Sequence, residues 1–187
     1  MSAVTPFDFI QAATRQHRAH HDCGAYTFED GAGLIAVAKA QAPRRVIELG
    51  TALGYTACCL ASATSTTVVD TVERDPDHVR LAREQVTQAG LEGRVVVHEG
   101  DFLAVLTTLT GPYDLAFFDG FAPDEALIGR LRSLLADEGV LVCANLGLAA
   151  ASSREALRRD LDDPTRWTRI GALEQGATLA WRKRADG

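Results

Sequence analysis

The chain has 187 residues, 47% of them hydrophobic and 24% charged, which is one domain's worth of sequence with enough apolar content for a packed core. Nineteen Lys and Arg against 25 Asp and Glu give a net charge of −6. An acidic chain is poorly matched to nucleic acid or to an anionic membrane surface, both of which need a basic face. No run approaches the about 18 apolar residues of a bilayer span. Met1–Gln11, with Asp8 and no basic cluster ahead of an apolar stretch, does not read as a signal peptide.

Taken in order, Pro6–Cys23 and Ala32–Ala40 read as helices ahead of the first strand. From Arg44 onward, short apolar runs alternate with amphipathic stretches. Arg45–Leu49 is a buried strand and Tyr55–Thr64 a helix of small residues, followed by a strand at Thr67–Val72. Asp75 and Pro76 open the next helix, since Asp accepts orphan N–H groups at a cap and Pro suits the first turn. Gly90 ends it. Strands follow at Arg94–Val97, Tyr113–Phe118 and Val140–Cys143, separated by helices at Phe102–Leu109 and around Leu127–Leu135. A helix at Arg154–Leu161 and two closing strands, Trp167–Ile170 and Ala177–Trp181, complete the pattern. Alternating strands and helices define an α/β fold, a mostly parallel seven-stranded sheet covered on both faces. The expectation is a single domain over residues 1–187, a helical extension (1–25) leading into a ligand-binding core (26–187).

Four cysteines, Cys23, Cys58, Cys59 and Cys143, show no C-x-x-C spacing for zinc or redox chemistry. Three lie in apolar runs, where free cysteine behaves as a small hydrophobe. A reducing, cytoplasmic setting fits this usage.

In an open parallel sheet, ligands bind beyond the carboxyl ends of the strands. Four of the five junctions there carry an acid: Glu48–Gly54, Glu73–Arg74, Gly100–Phe102 and Asp119–Phe121; the fifth is Ala144–Asn145. Gly50 and Gly54 let the backbone turn sharply and approach a ligand. Their G-x-x-x-G spacing is not the G-x-G-x-x-G of dinucleotide proteins. Glu48 would repel a pyrophosphate and suits a cation such as an ammonium or a sulfonium. Glu73 follows at 73 − 48 = 25 residues, close to the roughly 20-residue offset of ribose-binding acids. Asp101 can cap the next helix or accept from an exocyclic amine, and Phe102 can pack on a purine. Together these describe a nucleoside with a cationic amino-acid tail, S-adenosylmethionine.

On these residues the sequence resembles the class I methyltransferases, specifically the small O-methyltransferases related to catechol and caffeoyl-CoA O-methyltransferases. The resemblance runs from about Tyr26 to Lys183 and is carried by V-I-E-L-G-T-A-L-G-Y-T, V-E-R-D-P, A-G-L-E-G-R-V with G-D-F, G-P-Y-D-L-A-F-F-D and G-A-T-L-A-W-R-K. It implies that the Tyr26 backbone and Thr56 meet the methionine carboxylate, that Glu48, Gly50 and Thr51 line the methionine tail, and that Glu73 holds the ribose. Gly100, Asp101 and Phe102 would frame the adenine, with Gly54, Tyr55, Arg74 and Asp119 completing the cofactor site. A small-molecule methyl acceptor and a homodimer are implied on the same basis. The family's divalent metal rests on an acid after strand four and an Asp-Asn pair after strand five, with a Lys three residues beyond the first acid. Here Asp119 and Asn145 remain, but Ala144 and Ala122 take the other two positions. One carboxylate and one amide make a weak site for a hard cation, so no metal ligands are assigned.

His17, His20 and His21 fall at helical spacing on one face of the first helix. With Asp22 and Cys23 adjacent, they admit a metal site or an acid/base pair, or else a polar face near the cofactor mouth or a subunit contact. With the Lys gone, His20 or His21 is the expected replacement base, beside Asp119. Two other functions compete with the methyltransferase: a nicotinamide-dependent oxidoreductase, against which the missing dinucleotide motif counts, and a non-catalytic protein that kept the cofactor pocket.

Overall fold

The computed structural model describes residues 4–185. Helices α1 (Asp8–His21) and α2 (Gly31–Gln41) precede β1 (Arg45–Leu49), α3 (Tyr55–Ala61) and β2 (Val68–Glu73). Then come α4 (Pro76–Gln88), β3 (Val95–Glu99), α5 (Phe102–Thr108), β4 (Tyr113–Phe118) and α6 (Glu125–Leu134). The chain closes with β5 (Leu135–Cys143), α7 (Ala151–Leu161), β6 (Trp167–Leu173) and β7 (Thr178–Lys183).

All seven strands join one sheet in the order β3-β2-β1-β4-β5-β7-β6. β1 pairs in parallel with both β2 and β4, whereas β7 runs antiparallel between β5 and β6. The chain therefore winds outward from β1 to β3 and restarts at β4 on the other side. That reversal opens a crevice at the carboxyl ends of β1 and β4, where a doubly wound sheet binds ligands.

Strand alternation sorts the side chains into two cores. Val46, Val69, Val97, Leu115, Phe117 and Val142 pack under the helices that precede β3, α1 to α4. Ile47, Leu49, Val72, Phe118, Leu141 and Cys143 pack under α5, α6 and α7. By the same alternation Glu48 shares the face of Val46 and points toward α3, into the first core.

Local chemistry fixes the helix starts. Asp30, Asp75, Asp101 and Asp124 each accept from backbone amides of the first turn that follows. Element types agree with the sequence pattern throughout, and the differences lie at the ends. β5 begins at Leu135 rather than Val140, because a turn through Glu138 (φ 63°) interrupts the apolar run before the strand resumes its register with β4. β6 and β7 extend past the segments expected for them, since the antiparallel ladder between them continues to Leu173 on β6 and through the charged Arg182 and Lys183 on β7. The helix expected over Pro6–Cys23 ends at His21, where Asp22 turns left-handed (φ 46°).

Candidate active site

The site is built around a backbone crossing. Gly50 has φ +104°, and a Cβ there would stand 2.7 Å from the carbonyl oxygen of Asp119. Only glycine permits the end of β1 to pass this close to the end of β4. The Asp119 N–H donates to the Leu49 carbonyl at 2.9 Å, and the Gly50 N–H to that of Val72 at 3.1 Å. Three strand ends are thus fastened together by main chain alone.

Glu48 is fully buried just ahead of this crossing. The Thr71 hydroxyl lies 2.5 Å from its Oε2, and Thr51 Oγ1 lies 2.6 Å from Thr71 Oγ1. Oε1 has no hydrogen-bond partner. Burial pushes the Glu48 carboxyl up to about 7, reinforced by the charge of Glu73 and opposed by the Thr56 and Thr71 hydroxyls. No ion pair among the described residues reaches Glu48, Glu73 or Asp119. A buried carboxyl with an orphaned oxygen and no counter-ion is expensive, and a cationic ligand would relieve that cost.

Asp119 leaves the end of β4 in the same crevice. Its carboxyl is held well above the usual carboxylate range, first by burial, then by the charges of Glu48 and Glu174. Asn145, in the left-handed region (φ 61°), donates through Nδ2 to the Gly120 carbonyl at 2.9 Å and lies 3.4 Å from Asp119 Oδ1. Bonding a carbonyl requires the NH₂ end of the amide, so the Asn145 donor, not its oxygen, faces this corner. The third ligand position is Ala144, buried, whose N–H bonds the Phe118 carbonyl. The donor set for a divalent metal does not fit here: one carboxylate of raised pKa, one N–H donor and a methyl group.

Glu73 is more occupied than a free ribose-binding acid would be. Its Oε1 accepts from the N–H groups of Arg74 (2.9 Å) and Asp75 (3.0 Å), and its Oε2 from that of Ala52 at 3.0 Å. A carboxylate has about four acceptor positions, so one remains, on Oε2, for a ribose hydroxyl. Asp101 caps α5 through Oδ1 alone, 3.0 Å from Leu103 N and 3.4 Å from Ala104 N. Gly100 reaches φ +147°, and its N–H donates to the Glu73 carbonyl at 2.8 Å, tying the β3 end to the β2 end. The Phe102 ring packs edge-on to Phe118 with centroids 6.3 Å apart.

Several expected site residues have other duties. The Tyr55 side chain is buried away from the crevice against Gly31, its oxygen 3.4 Å from Thr5 Oγ1. Only its backbone, following Gly54 (φ +94°), borders the loop. Thr51 turns its hydroxyl onto Thr71, so it too presents main chain. The Tyr26 N–H is used by the Gly24 carbonyl at 3.0 Å, and its exposed ring carries the Arg18 guanidinium at 3.7 Å. Arg74 is exposed.

His20 and His21 are exposed at the far end of α1. His20 Nδ1 bonds the Gln16 carbonyl at 2.7 Å, and His21 stacks on His17 at 4.5 Å. Among the described residues no hydrogen bond, ion pair or ring contact joins either histidine to Asp119; the charges acting on Asp119 are those of Glu48 and Glu174. Glu174 is an acid whose charge reaches Asp119 and which sequence reasoning did not single out. It lies between β6 and β7 with φ 48°, accepts from the Glu29 N–H at 3.1 Å and from the Thr178 hydroxyl at 2.8 Å, and adds a further acid on the Asp119 side of the crevice.

A doubly wound sheet whose switch-point crevice carries a buried acid, Glu48, in place of a phosphate-binding loop fits a protein that handles a cationic methyl donor. The chain belongs to the methyltransferase-domain family, whose profile matches residues 47–146, from β1 to just past β5. A Mycobacterium tuberculosis protein bearing the name "Probable O-methyltransferase Rv1220c" is 31% identical over 155 residues, covering 81% of this chain and 69% of that protein. A Mycolicibacterium vanbaalenii protein, likewise named an O-methyltransferase, is 34% identical over 121 residues, 63% of this chain and 54% of its own length. The chain thus spans about half the length of some curated relatives it matches. Among solved structures, the O-methyltransferase TomG of Streptomyces achromogenes, in complex with S-adenosylmethionine, superposes with a TM-score of 0.82 at 21% identity, covering 100% of this chain and 92% of that one. Cofactor-bound Rv0187 of M. tuberculosis superposes with a TM-score of 0.74 at 27% identity, covering 96% and 91%.

Proposed function

We propose that this protein is an S-adenosylmethionine-dependent O-methyltransferase acting on a small molecule without a divalent metal. The observation that carries the reading is Glu48: a buried carboxyl, one oxygen unpartnered and no counter-ion, beside the glycine that opens the ligand loop. Relatives and fold neighbours named as O-methyltransferases, TomG with S-adenosylmethionine among them, support it.

Glu48 would hold the cationic amino-acid tail, with Thr56 and the main chain from Gly50 to Tyr55 around its carboxylate. Glu73 would accept one ribose hydroxyl at its free position, and Gly100, Asp101 Oδ2 and Phe102 would border the adenine. When bound, the cofactor supplies an electrophilic methyl group and leaves as the thioether. The chain's own task is to hold the acceptor oxygen in line with that group, which converts a bimolecular step into an oriented one. Asp119 accepts the acceptor's proton as its oxygen–methyl bond forms. A cation in the crevice favours the ionised Asp119 that this requires. The base is therefore assigned to Asp119 rather than to His20 or His21.

The acceptor side carries exposed apolar groups, Phe121 after Asp119 and Leu148 after Asn145, on two loops joined by the Asn145–Gly120 bond. An aromatic or otherwise apolar alcohol suits that rim. No described helix is long and apolar enough to cross a membrane. Four free cysteines favour a reducing, cytoplasmic setting, and a homodimer is the proposed assembly, to be checked by sedimentation.

The test is calorimetric titration of chelator-treated protein with S-adenosylhomocysteine, then labelled methyl transfer to a panel of phenols and alcohols. Stoichiometric binding without metal, followed by transfer, is expected. No binding by folded protein would refute the reading, whereas binding without transfer to any acceptor would mark a cofactor-binding protein that does not catalyse.

A further inference from the structure

A second cluster of chemistry-bearing side chains lies outside the crevice, at the outer end of α1. His17, Cys23 and His78 each direct one ligating atom to a common point, all within 4.8 Å of one another. His17 comes from α1, Cys23 from the segment after it, and His78 from the first turn of α4. Three elements that meet nowhere in sequence thus converge on two imidazoles and a thiol. We propose that His17, Cys23 and His78 form a binding site for a divalent cation of the zinc class, which fastens the N-terminal helix to α4.

The ligand chemistry selects the ion. Two imidazoles and a thiolate suit a borderline-soft metal and not magnesium or calcium, which take oxygen. Zinc–nitrogen and zinc–sulfur bonds of about 2.0 and 2.3 Å place two imidazole nitrogens and a thiolate roughly 3.3–3.5 Å apart in a tetrahedral site, so atoms now within 4.8 Å of one another need to close by about 1.5 Å at most on binding. Asp22, in the left-handed conformation just before Cys23, and the two partly exposed side chains leave room for that movement. His78 is the fixed member: it is buried, and its N–H is tied to Asp75 Oδ1 at 3.3 Å. Water can fill the fourth position, next to a His17 ring on which His21 stacks at 4.5 Å.

The surroundings favour a cation. The carboxylates of Asp75 and Asp77 act electrostatically on His17 from the start of α4. The basic side chains of α1 point elsewhere: Arg15 pairs with Glu29 at 2.7 Å, and Arg18 lies over the Tyr26 ring. The helical spacing of His17, His20 and His21 drew attention to this region, but His20 is spent on its own helix. The working partners of His17 come from Cys23 and α4. Because α4 begins three residues after Glu73, an ion here would hold the N-terminal segment against the ribose side of the crevice.

Chelator-treated full-length protein titrated with cobalt(II) gives the most specific readout. One equivalent should produce tetrahedral d–d bands and a near-ultraviolet thiolate-to-cobalt band, both displaced by zinc. Cys23→Ser should abolish the thiolate band and weaken zinc binding, measured against a chromophoric chelator, at least about tenfold. His17→Gln should weaken it similarly, and His20→Ala should leave it unchanged. Both ligand variants sit at partly exposed positions, so the test does not depend on replacing the buried His78. Absence of the thiolate band in the parent protein, its survival in Cys23→Ser, or loss of binding in His20→Ala would each overturn the proposal.

Discussion

Replacing Glu48 by Gln should make the ligand-free protein more stable, and the gain should depend on pH in one direction only. The Glu48 carboxyl rises from an ordinary 4.5 to about 7 in the folded chain. The folded state therefore prefers the protonated form, and ionising the group costs stability. The cost is absent below pH 4.5, where both states are protonated, grows as pH rises through the interval, and is complete above 7. A shift of about 2.5 units at 1.36 kcal/mol each is about 3 kcal/mol. For a chain of this length that corresponds to roughly 6–12 °C in Tm. Gln keeps the shape and cannot ionise. A constant penalty from imperfect amide pairing beside Thr71 would offset the whole curve without changing its slope, so the slope carries the information. Removing the Glu48 charge also relaxes Asp119, on which it acts, and this adds to the effect in the same direction. The assay is thermal or denaturant unfolding of parent and variant from pH 4.5 to 8.5. A stability difference that stays flat across that range would refute the reasoning, as would a parent that becomes more stable relative to the variant as pH rises.

The other expectations address the ligand and the chemistry. S-adenosylhomocysteine carries an ammonium, which should pull Glu48 back toward ionisation; calorimetry at pH 6 in buffers of different ionisation enthalpy should show up to about one proton released per ligand, and no buffer dependence would contradict the pairing. Asp119→Asn should reduce methyl transfer by roughly 10²–10⁴ while leaving S-adenosylhomocysteine binding within a few-fold, and retention of turnover would remove Asp119 as base. Adding Mg²⁺ to chelator-treated protein should leave turnover unchanged within about twofold, since Ala144 and the Asn145 amide supply no hard ligand; strong activation would restore the metal. Gly50→Ala should cost about 2–4 kcal/mol in denaturant unfolding, because a Cβ there meets the Asp119 carbonyl at 2.7 Å with φ at +104°.

The parts of this molecule legible in the sequence are those governed by short-range rules. Strand alternation and helix caps located the seven strands and seven α-helices, whereas the reversal of strand order after β3 came only with the structure. Glu48 could be singled out because a lone acid between Ile47 and Leu49 has no ordinary reason to be buried. Where reasoning from position failed, long-range geometry decided. That Tyr55 offers the loop its main chain, while its ring packs toward Gly31 and Thr5, could not be read from position alone. Glu73 looked free, yet the turn of β2 into α4 and the loop at Ala52 fill three of its acceptor positions. Glu174 carried no signal, since its left-handed backbone is adopted by a residue that does not advertise it. His78 could not be joined to His17 without knowing that α4 lies beside α1.

The contact between Gly50 and the Asp119 carbonyl has an evolutionary consequence. The loop that would grip the methyl donor and the residue that would take the proton are spliced together through main chain, with no side chain between them to mutate. The segments carrying Phe121 and Leu148 hang outside that splice. Substitutions there can exchange one acceptor for another while the distance between donor and base stays put. Diversification is thereby confined to the rim, and a loop graft from a relative becomes a reasonable way to move a new acceptor preference onto this sheet.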